Sequence, residues 1–485
     1  MDEKKQKLIK ALLAILPKEA VLYDKEDLHP YECDALSAYR RLPLVVALPN
    51  NVEQVQRILR YCYEHEIPVV ARGAGTGVSG GALPHEEGVL LSLAKFKNIL
   101  EVDVEQRIAR VQPGVRNLAI SQAVDQYGLY YAPDPSSQIA CTIGGNVAEN
   151  SGGVHCLKYG LTVHNIQQIK IITIEGELLT IGGGLDAPGY DLLALMTGSE
   201  GMLGVIVEVT VKLLPKPERA QVILAAFDDV VKAGHAVGDI IAAGIIPAGL
   251  EMMDKLAIQA AEDFVHAGYP RDAEAILLCE LDGTNAEVSE HVMKVRDILN
   301  ASGAIEVRTA KDEAERIVFW KGRKAAFPAV GRLAPDYYCM DGTIPRKRLP
   351  EVLKTITQLS KEYNLPVANV FHAGDGNLHP LILYDANKPG ELERTEAFGG
   401  KILEFCVEVG GTITGEHGVG MEKINQMCVQ FASNELTQFH AVKEAFDAKG
   451  LLNPGKAVPT LHRCAEFGAM HVHKGRLPFP ELERF

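Results

Sequence analysis

Two short stretches of the chain concentrate side chains that bind metals or move protons. Phe371-His-Ala-Gly-Asp-Gly-Asn-Leu-His379 sets His372 and His379 seven residues apart around a Gly-rich turn. If its flanks pair as a hairpin, both imidazoles can converge on one point. Thr414-Gly-Glu-His-Gly-Val-Gly420 places Glu416 beside His417, between glycines. Two imidazoles and one carboxylate make a three-ligand site with open positions, as a catalytic metal requires. A lone His among the 15 in this chain would more often be a surface or satisfied core residue, and turns alone also explain glycines. Two Gly-flanked clusters in one chain are harder to dismiss.

Glycine also dominates the first half. Arg72-Gly-Ala-Gly-Thr-Gly-Val-Ser-Gly-Gly81 matches GxGxxG from Gly75 to Gly80. In a dinucleotide-binding βαβ unit the third Gly opens a helix that receives the pyrophosphate. Here Pro84 and Gly88 follow, then a strand-like run, so no helix is expected. The glycines still allow successive N–H groups to converge on an anion, although a tight loop without a ligand would read the same. A second small-residue region, 132–153, contains Thr142-Ile-Gly-Gly-Asn146 and Asn150-Ser-Gly-Gly153. It would add N–H donors and short polar side chains. Together the two regions point to a long diphosphate cofactor held by loops.

The elements that must position these residues follow from patterning. Strands are expected at 44–48, 67–71, 89–93, 99–103, 106–112, 166–174 and 203–213, with a helix over 52–66 behind the N-cap Asn51. Leu214-Pro-Lys-Pro217 reads as a linker. Beyond it, strands near 220–226, 275–281, 304–309 and 366–371 alternate with helices near 229–242, 284–301, 311–326 and 349–363, which suggests an α+β cap with its own sheet. A last helix is expected near 434–446. This divides the chain into 1–217, 218–430 and 431–485, the last returning to the first.

Composition excludes several classes. The 485 residues are 47% hydrophobic, and 63 acidic against 49 basic side chains leave a net charge of −14. That balance, without a long Lys/Arg block, argues against nucleic acid as a partner. The nine cysteines include no CxxC pair, so neither a disulfide framework nor an iron–sulfur cluster held by this chain alone is expected. The apolar run Ala11 to Leu16 is too short for a signal core, and Ala236 to Leu250 falls short of a membrane span. A cytoplasmic protein, or one peripheral on the inner face of the cell membrane, is the expectation.

Arg72-Gly-Ala-Gly-Thr-Gly with Gly144-Gly145-Asn146 resembles the signature of the vanillyl-alcohol-oxidase-type FAD-binding fold. The His and Glu clusters resemble those of the FAD-linked oxidase C-terminal domain, shared by D-lactate and D-2-hydroxyglutarate dehydrogenases. Tyr337 to Pro345 and the tail Thr460 to His473 are similar to the FAD-linked subunits of bacterial glycolate oxidases. The resemblance implies a fold class of α+β type: a two-subdomain FAD-binding domain plus an α+β cap with a mainly antiparallel sheet.

It also implies roles. FAD pyrophosphate would sit on Arg72, Gly73, Ala74, Gly75, Thr76, Gly77, Ser79 and Gly80. Isoalloxazine contacts would come from Pro133, Asp134, Ser137, Thr142, Gly144, Gly145, Asn146, Asn150, Gly152 and Gly153, with Asn453 closing nearby. Thr76 stands where some members carry a flavin-tethering His, so non-covalent FAD is implied. His372, His379 and Glu416 would hold zinc, manganese or iron, and His417 would be the general base. Arg323 would grip the substrate carboxylate, where the bland alternative is a solvated helix charge. Cys339 stands where some relatives carry a Lys.

The implied function is oxidation of glycolate, and possibly D-lactate, to the 2-oxo acid. Electrons would pass to an iron–sulfur subunit of a complex that also holds a second flavin subunit. The alternatives are a D-lactate or D-2-hydroxyglutarate dehydrogenase, a metallohydrolase with a structural Gly-rich half, and a flavin-binding scaffold without turnover of its own.

Overall fold

The computed structural model describes residues 3–183 and 189–460. All but the first residue of the Thr460 to His473 resemblance therefore lies outside the described residues. The chain divides into two compact units, one of Met1–Ser151, Leu161–Pro215 and His417–Phe485, the other of Gly152–Gly160 and Lys216–Glu416.

The first unit contains two sheets. One has four strands in the order Val21–Leu22, Val45–Ala47, Val89–Ser92, Val69–Arg72, and its last three run parallel. Helix Val52–Glu64 joins Val45–Ala47 to Val69–Arg72. It begins where the Asn51 side chain accepts a hydrogen bond from the Gln54 amide, and it buries Val55, Ile58, Leu59 and Cys62 at helical spacing. The other sheet has five antiparallel strands, with Val205–Lys212 central between Ile108–Val111 and Ile166–Ile172. The C-terminal helix Ser433–Phe446 packs Val442 and Phe446 against this sheet's core. Beyond it, the Leu451 carbonyl accepts from the Val69 amide and the Asn453 amide donates to the Val69 carbonyl, extending the four-stranded sheet's edge.

The second unit is built on a seven-stranded antiparallel sheet. Its order is Glu306–Thr309, Arg219–Phe227, Ala275–Gly283, Gly249–Asp254, Val367–Phe371, Pro380–Tyr384, Asp336–Cys339. Val222, Leu224 and Ala226 alternate onto one face, under the helices Lys255–Val265, Glu313–Lys324 and Ala326–Val330.

Three expectations need revision. The 132–153 region is not all loop: Ile143–Glu149 forms a helix, and Asn150 ends it at φ 54°. Gly144 serves that turn, because its amide is spent on the Pro113 carbonyl and a Cβ there would strike Pro113 at 2.5 Å. The expected helix over 311–326 is two helices, broken between Lys324 and Ala326. Cysteines 33, 62, 141, 156, 279, 339 and 406 are free, whereas Cys428 is held in a disulfide.

The helix Glu313–Lys324 lies on two buried sheet carboxylates. Arg316 Nη1 donates to Glu280 Oε2 at 2.8 Å, Trp320 Nε1 donates to the same oxygen, and Arg323 Nη2 lies 2.6 Å from Glu251 Oε2. The positions i, i+4 and i+7 share one helix face, and Glu251 and Glu280 sit on neighbouring strands. His155 adds a fourth partner, 3.2 Å from Glu280 Oε1. Burial alone would raise the Glu280 pKa. The bonds to His155, Arg316 and Trp320 outweigh it and bring the carboxyl down to about 2.

The stability consequence has a definite sign. A carboxyl depressed in the folded state contributes fully above its unfolded value near 4.5, and the contribution is lost as pH falls towards about 2. We expect Glu280→Gln to remove on the order of 3 kcal/mol at neutral pH and to flatten the loss of stability between those limits. Urea midpoints of both proteins from pH 7 downwards check it. Parallel curves would show that Glu280 carries no such linkage.

Candidate active site

In the second unit the sequence Phe371–His379 does fold back on itself. Val367–Phe371 pairs antiparallel with Pro380–Tyr384, and His372 bridges to Asn377 across the turn. Gly376 takes φ 85° there, a conformation that favours Gly. The two rings meet edge to face with centroids 5.1 Å apart. Both present Nε2 to Glu416 Oε1, His372 at 3.3 Å and His379 at 2.9 Å. The ligand atoms of this trio lie within 4.8 Å of one another, and all three side chains are nearly or fully buried. This donor set suits a divalent metal with positions left open for substrate or water.

Two carboxylates absent from the sequence-level list hold the trio. Glu251 Oε1 lies 2.8 Å from His372 Nδ1, so Nδ1 carries the proton and Nε2 is left for a ligand. Asp341, fully buried, accepts from the Thr414 hydroxyl at 2.6 Å and from the amides of Gly415 at 3.0 Å and Glu416 at 3.2 Å. That set fixes the turn that delivers Glu416. Burial opposes a charged imidazole at His372, but Glu251 and Glu416 on either side raise its pKa well above the usual range. Burial likewise works against the Glu416 carboxylate, while His372 and His379 hold its pKa well below the usual range.

Arg323 is not a solvated helix charge. Its side chain is 1% exposed, with Nη2 beside Glu251, while Nε and Nη1 have no hydrogen-bond partner among the described groups. Buried unpaired guanidinium nitrogens are costly, and a fork of this kind matches a carboxylate. Cys339 is buried in the same unit, its Sγ 3.4 Å from the Met340 carbonyl.

In the first unit the Gly-rich loop follows Arg72, whose Nη1 donates to the Cys33 carbonyl at 2.7 Å. Gly75 and Gly80 have φ of 69° and 75°. A Cβ on Gly75 would run into the Arg72 guanidinium, and one on Gly73 into Thr142 Oγ1. Ala74 is exposed; Thr76 and Gly77 are half-buried, and the Gly77 carbonyl accepts from Ala35. Ser79 Oγ and Thr142 Oγ1 are buried without a hydrogen-bond partner among the described groups. Orphaned hydroxyls next to a loop that excludes side chains fit a bound polar cofactor.

The remaining candidates have structural partners. Asn146 accepts from Asn117, which also donates to the Pro133 carbonyl. Asn150 accepts from the Val163 amide, and Asp134 is buried. The Ser137 carbonyl accepts from the Cys141 amide. Gly145 is partly buried, and a Cβ there would meet only Thr142 Oγ1 at 3.8 Å. Asn453 donates to the carbonyls of Gly81 and Glu200 at 3.0 and 2.6 Å. Gly152 and Gly153 belong to the second unit.

His417 opens the third segment of the first unit and is half-buried. The turn after it hangs on Glu200, whose two oxygens accept from the amides of Val419 and Gly420, both at 2.7 Å. Gly418 has φ 80°, and a Cβ on it would strike the Glu149 carboxylate. We expect Gly418→Ala to cost about 1–3 kcal/mol and to lower turnover more than FAD content, measured by thermal unfolding and by flavin absorbance of the purified protein. An unchanged melting temperature and turnover would remove the need for glycine there.

Comparison with known proteins agrees with both halves. Residues 43–182 match the FAD binding domain family, and residues 216–457 match the FAD linked oxidases, C-terminal domain family. The chain is 69% identical over 485 residues to the glycolate oxidase subunit GlcD of Escherichia coli (strain K12), covering 100% of this chain and 97% of that protein. It is 41% identical to the GlcD of Bacillus subtilis (strain 168), covering 88% and 91%. A D-lactate dehydrogenase of Anaerostipes hadrus is 32% identical, covering 93% and 96%. Among solved structures, p-cresol methylhydroxylase superposes with a TM-score of 0.81 at 17% identity, covering 95% and 98%, which shows the shared vanillyl-alcohol-oxidase-type fold. With this identity sustained over its whole length, the chain belongs to the family of FAD-linked oxidoreductases that contains the glycolate oxidase GlcD subunits and the D-lactate dehydrogenases.

Proposed function

We propose that this chain is the dehydrogenase subunit of a complex that oxidises glycolate, and D-lactate as a second substrate, to the 2-oxo acid. The observation that carries the proposal is the convergence of His372, His379 and Glu416 in the unit that also buries the Arg323 fork. FAD, non-covalent because Thr76 offers no tether, would be held by the 72–80 loop with Thr142 and the 133–153 region; His372, His379 and Glu416 would hold zinc, manganese or iron.

A flavin held by these loops would supply the hydride acceptor for C2, and a metal held by His372, His379 and Glu416 would supply Lewis acidity towards the 2-hydroxyl. Arg323 pairs with the substrate carboxylate and so fixes which hydrogen of C2 is presented. His417 takes the hydroxyl proton on its imidazole, acting as general base. A metal on His372 and Glu416 would supply the positive charge that the His372 proton supplies without it.

No described segment carries a cluster-binding motif. Electrons would therefore leave through an iron–sulfur subunit, in a complex with a second flavin subunit. No helix among the described residues is long and apolar enough to cross a membrane.

The test is anaerobic reduction of the flavin by glycolate, D-lactate and D-2-hydroxyglutarate, with and without chelator. Fast bleaching by glycolate that chelator abolishes and metal restores is the expected result. Faster bleaching by D-2-hydroxyglutarate would move the assignment to that sibling activity. A yellow protein that none of them bleaches, even with partner subunits added, would leave a scaffold.

A further inference from the structure

Glu251 lies at the centre of the seven-stranded sheet, on Gly249–Asp254 beside Val367–Phe371, and is 1% exposed. A lone carboxylate at such a depth is expensive, and it persists only when paired. Its two oxygens have different partners. Oε1 lies 2.8 Å from His372 Nδ1 and Oε2 lies 2.6 Å from Arg323 Nη2. Glu251 thus touches both a candidate metal ligand and the candidate carboxylate anchor.

We infer that Glu251 is a positioning residue that sets two distances at once: the direction of His372 Nε2 and the place of the Arg323 fork relative to it. The inference rests on the metal and carboxylate roles proposed above. Three links support it. First, an acceptor on Nδ1 selects the tautomer whose Nε2 lone pair is free for a metal and raises its basicity. Second, the ion pair holds Nη2 of Arg323 beside Glu251, while Nε and Nη1 have no hydrogen-bond partner among the described groups and remain available to an anion. Third, a carboxylate is rigid and planar, so its two oxygens form a fixed ruler. A 2-hydroxy acid has its carboxylate and hydroxyl on adjacent carbons. The ruler therefore favours substrates that bridge a short, constant span between anchor and metal, and disfavours 3-hydroxy acids.

The test uses two variants of the FAD-loaded protein, stripped of metal by chelator. Glu251→Gln keeps the shape but loses the charge and one acceptor. Glu251→Asp keeps the charge but cannot reach both partners. Calorimetric titration with Zn²⁺ or Mn²⁺ should show a Kd about 10–100-fold weaker in both variants. At saturating metal, KM for glycolate should rise in both, and the preference for glycolate over 3-hydroxypropionate should shrink. A role confined to the fold would lower melting temperature without moving Kd or that preference.

Wild-type metal affinity together with wild-type preference in both variants would overturn the inference while leaving the metal reading intact. A wild-type protein that binds neither ion would overturn the metal reading, and this inference with it. If neither variant folds, nitrogen-15 spectra of the zinc-loaded wild type decide. A His372 proton on Nδ1 supports the inference, and one on Nε2 overturns it.

Discussion

On the proposed mechanism, a His417→Ala protein should keep its FAD and the proposed metal and lose about 10²–10⁴ in kcat, the usual span for a positioned proton acceptor. Retention of both groups is part of the expectation, because the turn after His417 is held through its backbone. Glu200 holds the amides of Val419 and Gly420, and Lys423, fully buried, donates to the Gly418 carbonyl at 2.8 Å. Glu416, one residue earlier, is held through its own amide by Asp341. These backbone contacts remain when the ring is removed. Steady-state turnover, flavin absorbance and metal content on one preparation check it. Turnover at the wild-type rate with both groups present would remove His417 as the base.

Arg323→Lys should lower kcat/KM for glycolate about 10²-fold, mostly through KM. A Lys keeps the positive charge beside Glu251 but replaces the planar fork by a single point donor. Two charge-assisted hydrogen bonds to the substrate carboxylate, at about 1.5–3 kcal/mol each, are then reduced to one or none. Arg323→Leu should behave differently. It leaves Glu251 buried with only His372 as a partner, and breaking a buried pair in this way costs about 3–5 kcal/mol. The Leu variant should thus be a folding defect and the Lys variant a binding defect. Melting temperatures and Michaelis curves of the two distinguish them. Equal KM values for wild type and Lys variant would mean that Arg323 does not touch the substrate.

Much of this was legible in the chain. Asn51 before an apolar stripe announced the helix Val52–Glu64, and short apolar runs announced the strands Val45–Ala47, Val89–Ser92 and Arg219–Phe227. His372 and His379 are brought together by local pairing around one turn, so spacing alone suggested their meeting. What could not be read was carried by contacts between distant segments. Glu251 lies 121 residues from His372, inside an apolar stretch where nothing marks its partners. Asp341 reaches residues 414–416 from 75 positions away. Arg323 looks like any basic residue near a helix end, because the carboxylate that buries it is on another strand. The helix Ile143–Glu149 was hidden by its two glycines, which propensity counts against a helix, although close packing on Pro113 requires the first of them, Gly144.

The stripe Arg316, Trp320 and Arg323 on two buried carboxylates also acts as an indexing device. Sliding the helix Glu313–Lys324 by one residue would turn its faces by about 100° and take from both carboxylates their partners on this helix. A greasy interface tolerates small slips; this one admits a single setting. The outward face, where Ile317 and Val318 are exposed, is under no such constraint. Residue exchange should therefore be cheap on one side of this helix and prohibitive on the other, and the location of the carboxylate anchor should survive wide drift in the surface around it.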